Sequence, residues 1–265
     1  MKTVVITGST RGIGFGLADS FLARGCQVMV CGRNPNTVEE AAARLTEKHG
    51  QESTAGVTCD VTDYEQVQAL WDSSVARFGQ VDIWINNAGL GNTLTPFWEL
   101  PPSLMHSVVQ TNILGSMYGT SVALRGMLKQ GYGALYNMEG FGSRGKRLLP
   151  GLTLYGTTKA ALAFLDRSVA EELKGKAVIA GSILPGMVVT DLLLNQRSGD
   201  PADWERSKKA FNILADRVET IAPWVVDRVL ANNKNGAHIA WLNGMKIMGR
   251  FLSAPFHQRK LIQDD

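Results

Sequence analysis

Cysteine is scarce in this chain and forms no pattern. Cys26, Cys31 and Cys59 are the only three in 265 residues, an odd number with no CxxC pair. That speaks against a disulfide framework and a thiolate-held metal; each sits at or beside an apolar segment, as buried reduced thiols do. The histidines are few as well. His49, His106, His238 and His257 are scattered with no partner at i+3 or i+4, so no metal site is readable. An excess of one charge is also missing: 27 Lys+Arg stand against 24 Asp+Glu, a formal net charge of +3. With no basic run in the body of the chain, nucleic acid is not expected as a partner. No apolar run approaches the ~18 residues of a membrane-spanning helix. Val4-Val5-Ile6 follows Met1 almost at once, which leaves no room for a signal or transit peptide, and a cytoplasmic protein is expected.

What is present is an alternation. Short apolar runs at 4–6, 28–30, 55–58, 81–85, 134–138 and 178–184 read as strands. Between and after them, 13–23, 38–49, 64–78, 103–129, 157–173 and 218–230 read as helices. Nearly continuous apolar strands between helices predict a parallel sheet covered on both faces. The expected fold is α/β, a single Rossmann-type doubly wound sheet with helices on both faces, over residues 1–265. Residues 187–217 mix Gly, Asp, Pro and charges with apolar clusters and read as a lid rather than another βα unit. The segment 239–256 is apolar and aromatic.

The turn after the first strand reads Thr7-Gly8-Ser9-Thr10-Arg11-Gly12-Ile13-Gly14 and opens the first helix. A helix N-terminus approached by glycine backbone is suited to a pyrophosphate. Gly8 allows a tight turn, Gly12 lets backbone approach phosphate, and Gly14 allows close helix–sheet packing. An acid after the second strand would hold a ribose 2′-hydroxyl. The stretch here is Cys31-Gly32-Arg33-Asn34, with no acid. Arg33, with Arg11 in reach, can clamp a 2′-phosphate instead, so NADP(H) is the expected cofactor over NAD(H). The alternative is that both arginines are solvated surface charges.

Tyr155 and Lys159 stand at i and i+4, on one helix face. A phenol titrates near 10, and a neighbouring ammonium and a nicotinamide cation would lower that value. Tyr155 is therefore a candidate acid/base for a carbonyl–alcohol pair.

Together these residues resemble the short-chain dehydrogenase/reductase family. Asp60-Val61 matches its adenine-contact position. Asn86-Asn87-Ala88-Gly89 matches its segment after the fourth strand, of which Asn87, Ala88 and Gly89 are expected at the cofactor. The resemblance makes Asn112 the anchor of a proton-relay water and Tyr155 and Lys159 the catalytic pair, also touching cofactor. It sets Pro185, Gly186 and Thr190 at the nicotinamide amide, and the Gly8, Ser9, Arg11, Gly12, Ile13 and Gly14 turn at the phosphates. Members of the family are usually dimers or tetramers, so a homodimer or homotetramer is expected.

One departure stands out. The family's catalytic serine, placed by alignment on the fifth strand, falls on Gly140; counting back from Tyr155 lands on Gly142. Ser143 is the nearest hydroxyl, 12 residues before Tyr155. Either Ser143 supplies the carbonyl-binding hydroxyl from a reshaped loop, or the site manages with Tyr155 and Lys159. Glu139 reads as a structural or substrate-side polar group.

The segment Asn137-Met138-Glu139-Gly140-Phe141-Gly142-Ser143 is similar to that of chlorophyll(ide) b reductases, as are the lid entry from Pro185 to Leu194, Phe211 to Ala215, and the tail from Ile239. This second resemblance implies NADPH-driven reduction of a 7-formyl group to a 7-hydroxymethyl. A bulky hydrophobic substrate is expected, with Leu148, Leu149, Leu152, Leu192, Leu193, Leu194, Phe211, Ile213 and Leu214 as candidate lining. Reduction of another lipophilic carbonyl, and NADPH sensing without turnover, are the alternatives. Trp241, Met245, Met248 and Leu252 fall at helical spacing near Arg250, Arg259 and Lys260. They suit either peripheral membrane contact or packing against the core or another subunit.

Overall fold

Val4, Val5 and Ile6 are all fully buried, without the alternation of a one-sided strand. A strand apolar on both sides must be covered on both sides. In the computed structural model, which describes residues 1–145, 148–194, 201–254 and 259–261, this strand lies inside the sheet with a neighbour on each side. It is β1 (Thr3–Ile6), followed by α1 (Gly12–Leu22), β2 (Gln27–Gly32), α2 (Pro35–His49), β3 (Thr54–Thr58), α3 (Tyr64–Phe78) and β4 (Ile83–Asn86). The chain continues through α4 (Pro102–Val109), α5 (Gly115–Gln130), β5 (Gly133–Met138), α6 (Thr153–Glu172) and β6 (Val178–Leu184). It ends with α7 (Asp191–Leu194), α8 (Pro201–Leu214), α9 (Val218–Ala231), β7 (Ala237–Ala240) and α10 (Gly244–Ser253).

The strands form one parallel sheet in the order β3-β2-β1-β4-β5-β6-β7. One face is covered by Leu17 and Phe21 of α1, Leu45 of α2, and Ile221 and Val225 of α9. The other is covered by Leu70 and Trp71 of α3, Val122 and Met127 of α5, and Val169 of α6. The sheet is therefore a doubly wound one of Rossmann type. Its order reverses between β1 and β4, and there a crevice opens beyond the carboxyl ends of the strands. Local signals agree with the layering. The Asn34 side chain accepts from the Asn36 and Thr37 N–H groups ahead of Pro35, and Asp63 caps α3 in the same way.

Three expectations need correction. The sheet has a seventh strand, β7, where the sequence pattern shows only an apolar segment. Four residues that include His238 are too short and mixed to signal a strand. The helix expected over 103–129 is two helices joined by a π turn, Gln110–Leu114. The helix expected from Thr157 begins at Thr153, so Tyr155 lies in its first turn. The stretch read as a lid, 187–217, holds the helices α7 and α8, and a bridge between Val188 and Asp216 ties its base together. The rest of that stretch, and residues 255–256 of the apolar segment, lie outside the described residues. Among the described residues, no helix is long and apolar enough to cross a membrane.

Candidate active site

The crevice at the reversal point is a cleft of about 500 Å³. Its floor is the turn between β1 and α1. Gly8 has φ +62°, and a Cβ there would lie 2.8 Å from Ala88 Cα, so only glycine lets this turn press against the segment after β4. Asn87 holds the two together: its Nδ2 donates to the carbonyls of Thr7 (2.9 Å) and Gly8 (3.0 Å). Thr7 Oγ1 accepts from the N–H groups of Asn87 and Ala88. Asn86 faces the interior, with its Nδ2 reaching Asn137 Oδ1 on β5 at 2.8 Å.

Of the residues expected at the cofactor, Gly8, Arg11, Gly12, Ile13, Gly14, Arg33, Val61, Asn87, Ala88, Gly89 and Thr190 line the cleft. Ser9, Asp60, Tyr155 and Lys159 do not. The Ser9 hydroxyl donates to Ile6 O and accepts from Cys31 N, which pins β1 to β2. Asp60 Oδ1 accepts from both the N–H and the hydroxyl of Thr62. Arg11 lies at the cleft, but its Nη1 is paired with Asp191 Oδ2 at 3.1 Å, tying the Gly-rich turn to α7. Both side chains are well exposed, and such a pair is worth at most about 1 kcal/mol. Arg33 is exposed at the rim. Pro185 is buried and, like Gly186, shapes the turn after β6 without lining the cleft; Gly186 has φ +76° and packs against Leu242.

Lys159 and Asn112 converge beyond the far end of this cleft. A Cβ placed on Gly89 would lie 3.5 Å from Asn112 Oδ1 and 3.8 Å from Lys159 Nζ. The π turn swings Asn112 inward, where its Oδ1 accepts from Leu90 N and its Nδ2 donates to Leu90 O and Thr158 Oγ1. Lys159 Nζ donates to Met138 O at 2.8 Å and lies 5.6 Å from the Tyr155 ring centroid. Asn92, which carries no sequence signal beyond its place after the Asn-Asn-Ala-Gly segment, accepts from Tyr155 N and donates to Gly151 O.

The Tyr155 hydroxyl rests on Gly140, where a Cβ would come within 2.4 Å of it. This explains the glycine at the family's serine position: there is no space for a side chain. Ser143 is near but engaged. Its Oγ accepts from Gly140 N (3.0 Å) and donates to Gly140 O (2.7 Å), closing a tight turn around that glycine.

Burial moves the two key groups towards their neutral forms. It pushes Tyr155 up to about 12, opposite to the direction expected from neighbouring positive charge. It pushes Lys159 down to about 8, against the pull of Asp166 and Glu139.

Of the apolar residues expected to line a substrate pocket, Leu192 lines the cleft, together with Leu90 and Leu104. Phe211 and Leu214 are buried, Leu152 is buried, and Leu148 is highly exposed. Met245, Met248 and Leu252 are exposed on α10, whereas Trp241 packs edge-on against Trp224 and donates to Asp216.

The family profile described as short chain dehydrogenase matches residues 2–201. The chain belongs to the short-chain dehydrogenase/reductase family. It is 36% identical over 259 residues to chlorophyll(ide) b reductase NOL of Oryza sativa subsp. japonica, covering 94% of this chain and 74% of that protein. It is 32% identical over 193 residues to the 3-oxoacyl-[acyl-carrier-protein] reductase FabG of Chlamydia muridarum, covering 72% and 75%. Among solved structures, it is similar to an alcohol dehydrogenase from Thermococcus sibiricus complexed with 5-hydroxy-NADP, with a TM-score of 0.77, 25% identity and coverage of 91% and 95%. This short-chain dehydrogenase/reductase is thus an oxidoreductase on a fold that binds a nicotinamide cofactor. The residues present fit such a group. The glycine turn leaves open backbone at a helix start, and Arg33 offers a rim cation. Asn87 Oδ1 is a buried acceptor at the cleft with no hydrogen-bond partner among the described residues.

Proposed function

We propose that this protein is an NADPH-dependent reductase of a bulky hydrophobic carbonyl, acting as the chlorophyll(ide) b reductases do on a 7-formyl group. The observation that carries the chemistry is the convergence of Lys159 and Asn112 at Gly89, with Tyr155 one helical turn from Lys159. The substrate class rests on the likeness to the chlorophyll(ide) b reductases, which extends over 94% of the chain.

NADPH, when bound, supplies the hydride. The backbone of Gly8, Gly12 and Ile13 would face its phosphates and Arg33 its 2′-phosphate, with Thr190 on the opposite wall. Tyr155 then acts as the acid. Its raised pKa keeps the hydroxyl protonated at neutral pH, and it gives that proton to the carbonyl oxygen as charge builds there. Lys159 as an ammonium favours the phenolate left behind. Asn112 is assigned to the proton relay, as the family resemblance implies; its side chain is tied to Leu90 and Thr158, which fixes the π turn beside Lys159. Ser143 is assigned to holding Gly140 against Tyr155, not to the carbonyl. Leu90, Leu104 and Leu192 supply apolar wall.

The likeness to FabG supports a second reading, reduction of another lipophilic carbonyl by the same residues. Sensing without turnover leaves the buried acid Tyr155 without a purpose. The test is NADPH or NADH consumption with chlorophyllide b, the product resolved by chromatography. The 7-hydroxymethyl product, formed faster with NADPH, is expected. NADPH binding without that product would overturn the substrate assignment and leave the second reading.

A further inference from the structure

A second polar cluster is buried behind Lys159, between α6 and the β7 edge of the sheet. Glu139 is the first residue after β5, and its side chain is 4% exposed. Its main-chain N–H donates to Ile183 O at 2.8 Å, which fixes it to β6. Its Oε2 has no hydrogen-bond partner among the described residues. The nearest cation-forming group is His238 on β7, whose Nδ1 lies 3.8 Å from Oε2 and 2.8 Å from Ser182 Oγ. Lys159 Nζ is hydrogen-bonded to the carbonyl of Met138, the residue next to Glu139. Asp166, seven residues beyond Lys159 on α6, accepts from Asn137 Nδ2 and leaves Oδ2 unpartnered. The charged and titratable groups bearing on the cluster are Lys159 and Asp166 from α6, His238 from β7, and Arg144 from the loop after β5.

A carboxylate buried this deeply is costly unless an opposite charge faces it. Asp166 and Glu139 both favour the Lys159 ammonium, Asp166 the more strongly. Asp166 is tied to Asn137 on β5, whereas Glu139 directly follows Met138, whose carbonyl Lys159 Nζ holds, and keeps an unpartnered carboxyl oxygen. We propose that Glu139 is a positioning residue of this active site: its buried carboxylate holds Lys159 as an ammonium and couples it, through His238, to the edge of the sheet. This rests on reading Lys159 as half of the catalytic pair. The sign follows from the charges. Burial lowers Lys159 to about 8 even with both carboxylates present, so removing one lowers it further.

The test is kcat and NADPH affinity against pH for the wild type, Glu139→Gln and Glu139→Asp, with folding followed by thermal unfolding. The alkaline limb of the Gln variant is expected to move towards lower pH. Its kcat is expected to fall more than about fivefold at pH 8 and less than about twofold at pH 6, with the carbonyl KM little changed. Glu139→Asp is expected to restore most of the wild-type profile. A loss of equal size at every pH, with the limb unmoved, would overturn the proposal and leave Glu139 a structural residue. Should the Gln variant not fold, Glu139→Met, uncharged and of similar length, carries the test on the same terms: an alkaline limb moved towards lower pH supports the proposal, and a limb that stays in place overturns it. Absence of wild-type turnover would count against the proposed substrate, not against Glu139. The pH dependence of NADPH binding, read by cofactor fluorescence, then gives the same comparison.

Discussion

Restoring the family's usual serine at position 140 is expected to harm this enzyme. A Cβ on Gly140 would lie 2.4 Å from the Tyr155 hydroxyl and 3.1 Å from its ring carbon Cζ, where ordinary contact begins at 3.4 Å. Either the ring or the strand end must give by about 1 Å. Neither is free to do so. Tyr155 is 7% exposed, and its N–H is held by Asn92 Oδ1 at 3.3 Å. Gly140 is held at both its N–H and its carbonyl by Ser143. Overpacking of this kind costs roughly 1–3 kcal/mol, which lowers the melting temperature of a chain of this size by several degrees, at about 2–4 °C per kcal/mol. A misplacement of about 1 Å at the reacting group costs on the order of a hundredfold in rate. Gly140→Ser is thus expected to lower kcat about a hundredfold while leaving NADPH affinity near wild type, because the substituted side chain faces Tyr155 and not the cleft. The assay is steady-state NADPH oxidation at saturating carbonyl, beside a fluorescence titration of the cofactor. Turnover equal to or above wild type in a folded Gly140→Ser protein would refute the packing argument.

Arg33→Ala is expected to weaken NADPH about tenfold or more, the worth of a charge-assisted phosphate contact, and to change NADH less than about twofold; equal losses in a binding titration would show that Arg33 does not read the 2′-phosphate. Asp166→Asn is expected to stabilise the fold at pH 8 by roughly 2–4 kcal/mol and to do little at pH 4. Burial raises Asp166 to about 7, so the folded state keeps a proton that the unfolded chain releases, and stability from this group falls as pH rises from about 4 to 7. Denaturant unfolding at both pH values checks this, and a larger gain at pH 4 would contradict it.

The layering of the fold is legible because strands buried on both faces are apolar at every position, as Val4-Val5-Ile6 is, and because glycine and capping residues mark the helix ends. Elements that depend on partners are not. β7 is four residues long and becomes a strand only because β6 is there to pair with it. The π turn at Asn112 has no composition of its own; it is visible only in how Leu90 and Thr158 engage the side chain. In the site, residue identities along the Gly-rich turn and at Tyr155 and Lys159 carry their own chemistry, so the sequence can point to them. What a side chain is already bonded to cannot be read in this way. Ser143 turns its hydroxyl to Gly140, Ser9 braces two strands, and Arg11 meets Asp191, a residue 180 positions away. The direction of the Tyr155 shift is missed for the same reason: neighbouring charge is predictable from i, i+4 spacing, and the depth of burial is not. Glu139 and His238 are 99 positions apart and meet only because β5, β6 and β7 are adjacent.

At the end of the cofactor cleft, Tyr155 is the proposed acid of the carbonyl reduction. Tyr155→Phe removes one oxygen and leaves the ring in place. The most direct measurement follows NADPH oxidation and NADPH binding in this variant together. Binding within about threefold of wild type is expected, with turnover reduced by a factor on the order of a hundred to ten thousand. Turnover close to wild type would contradict that assignment.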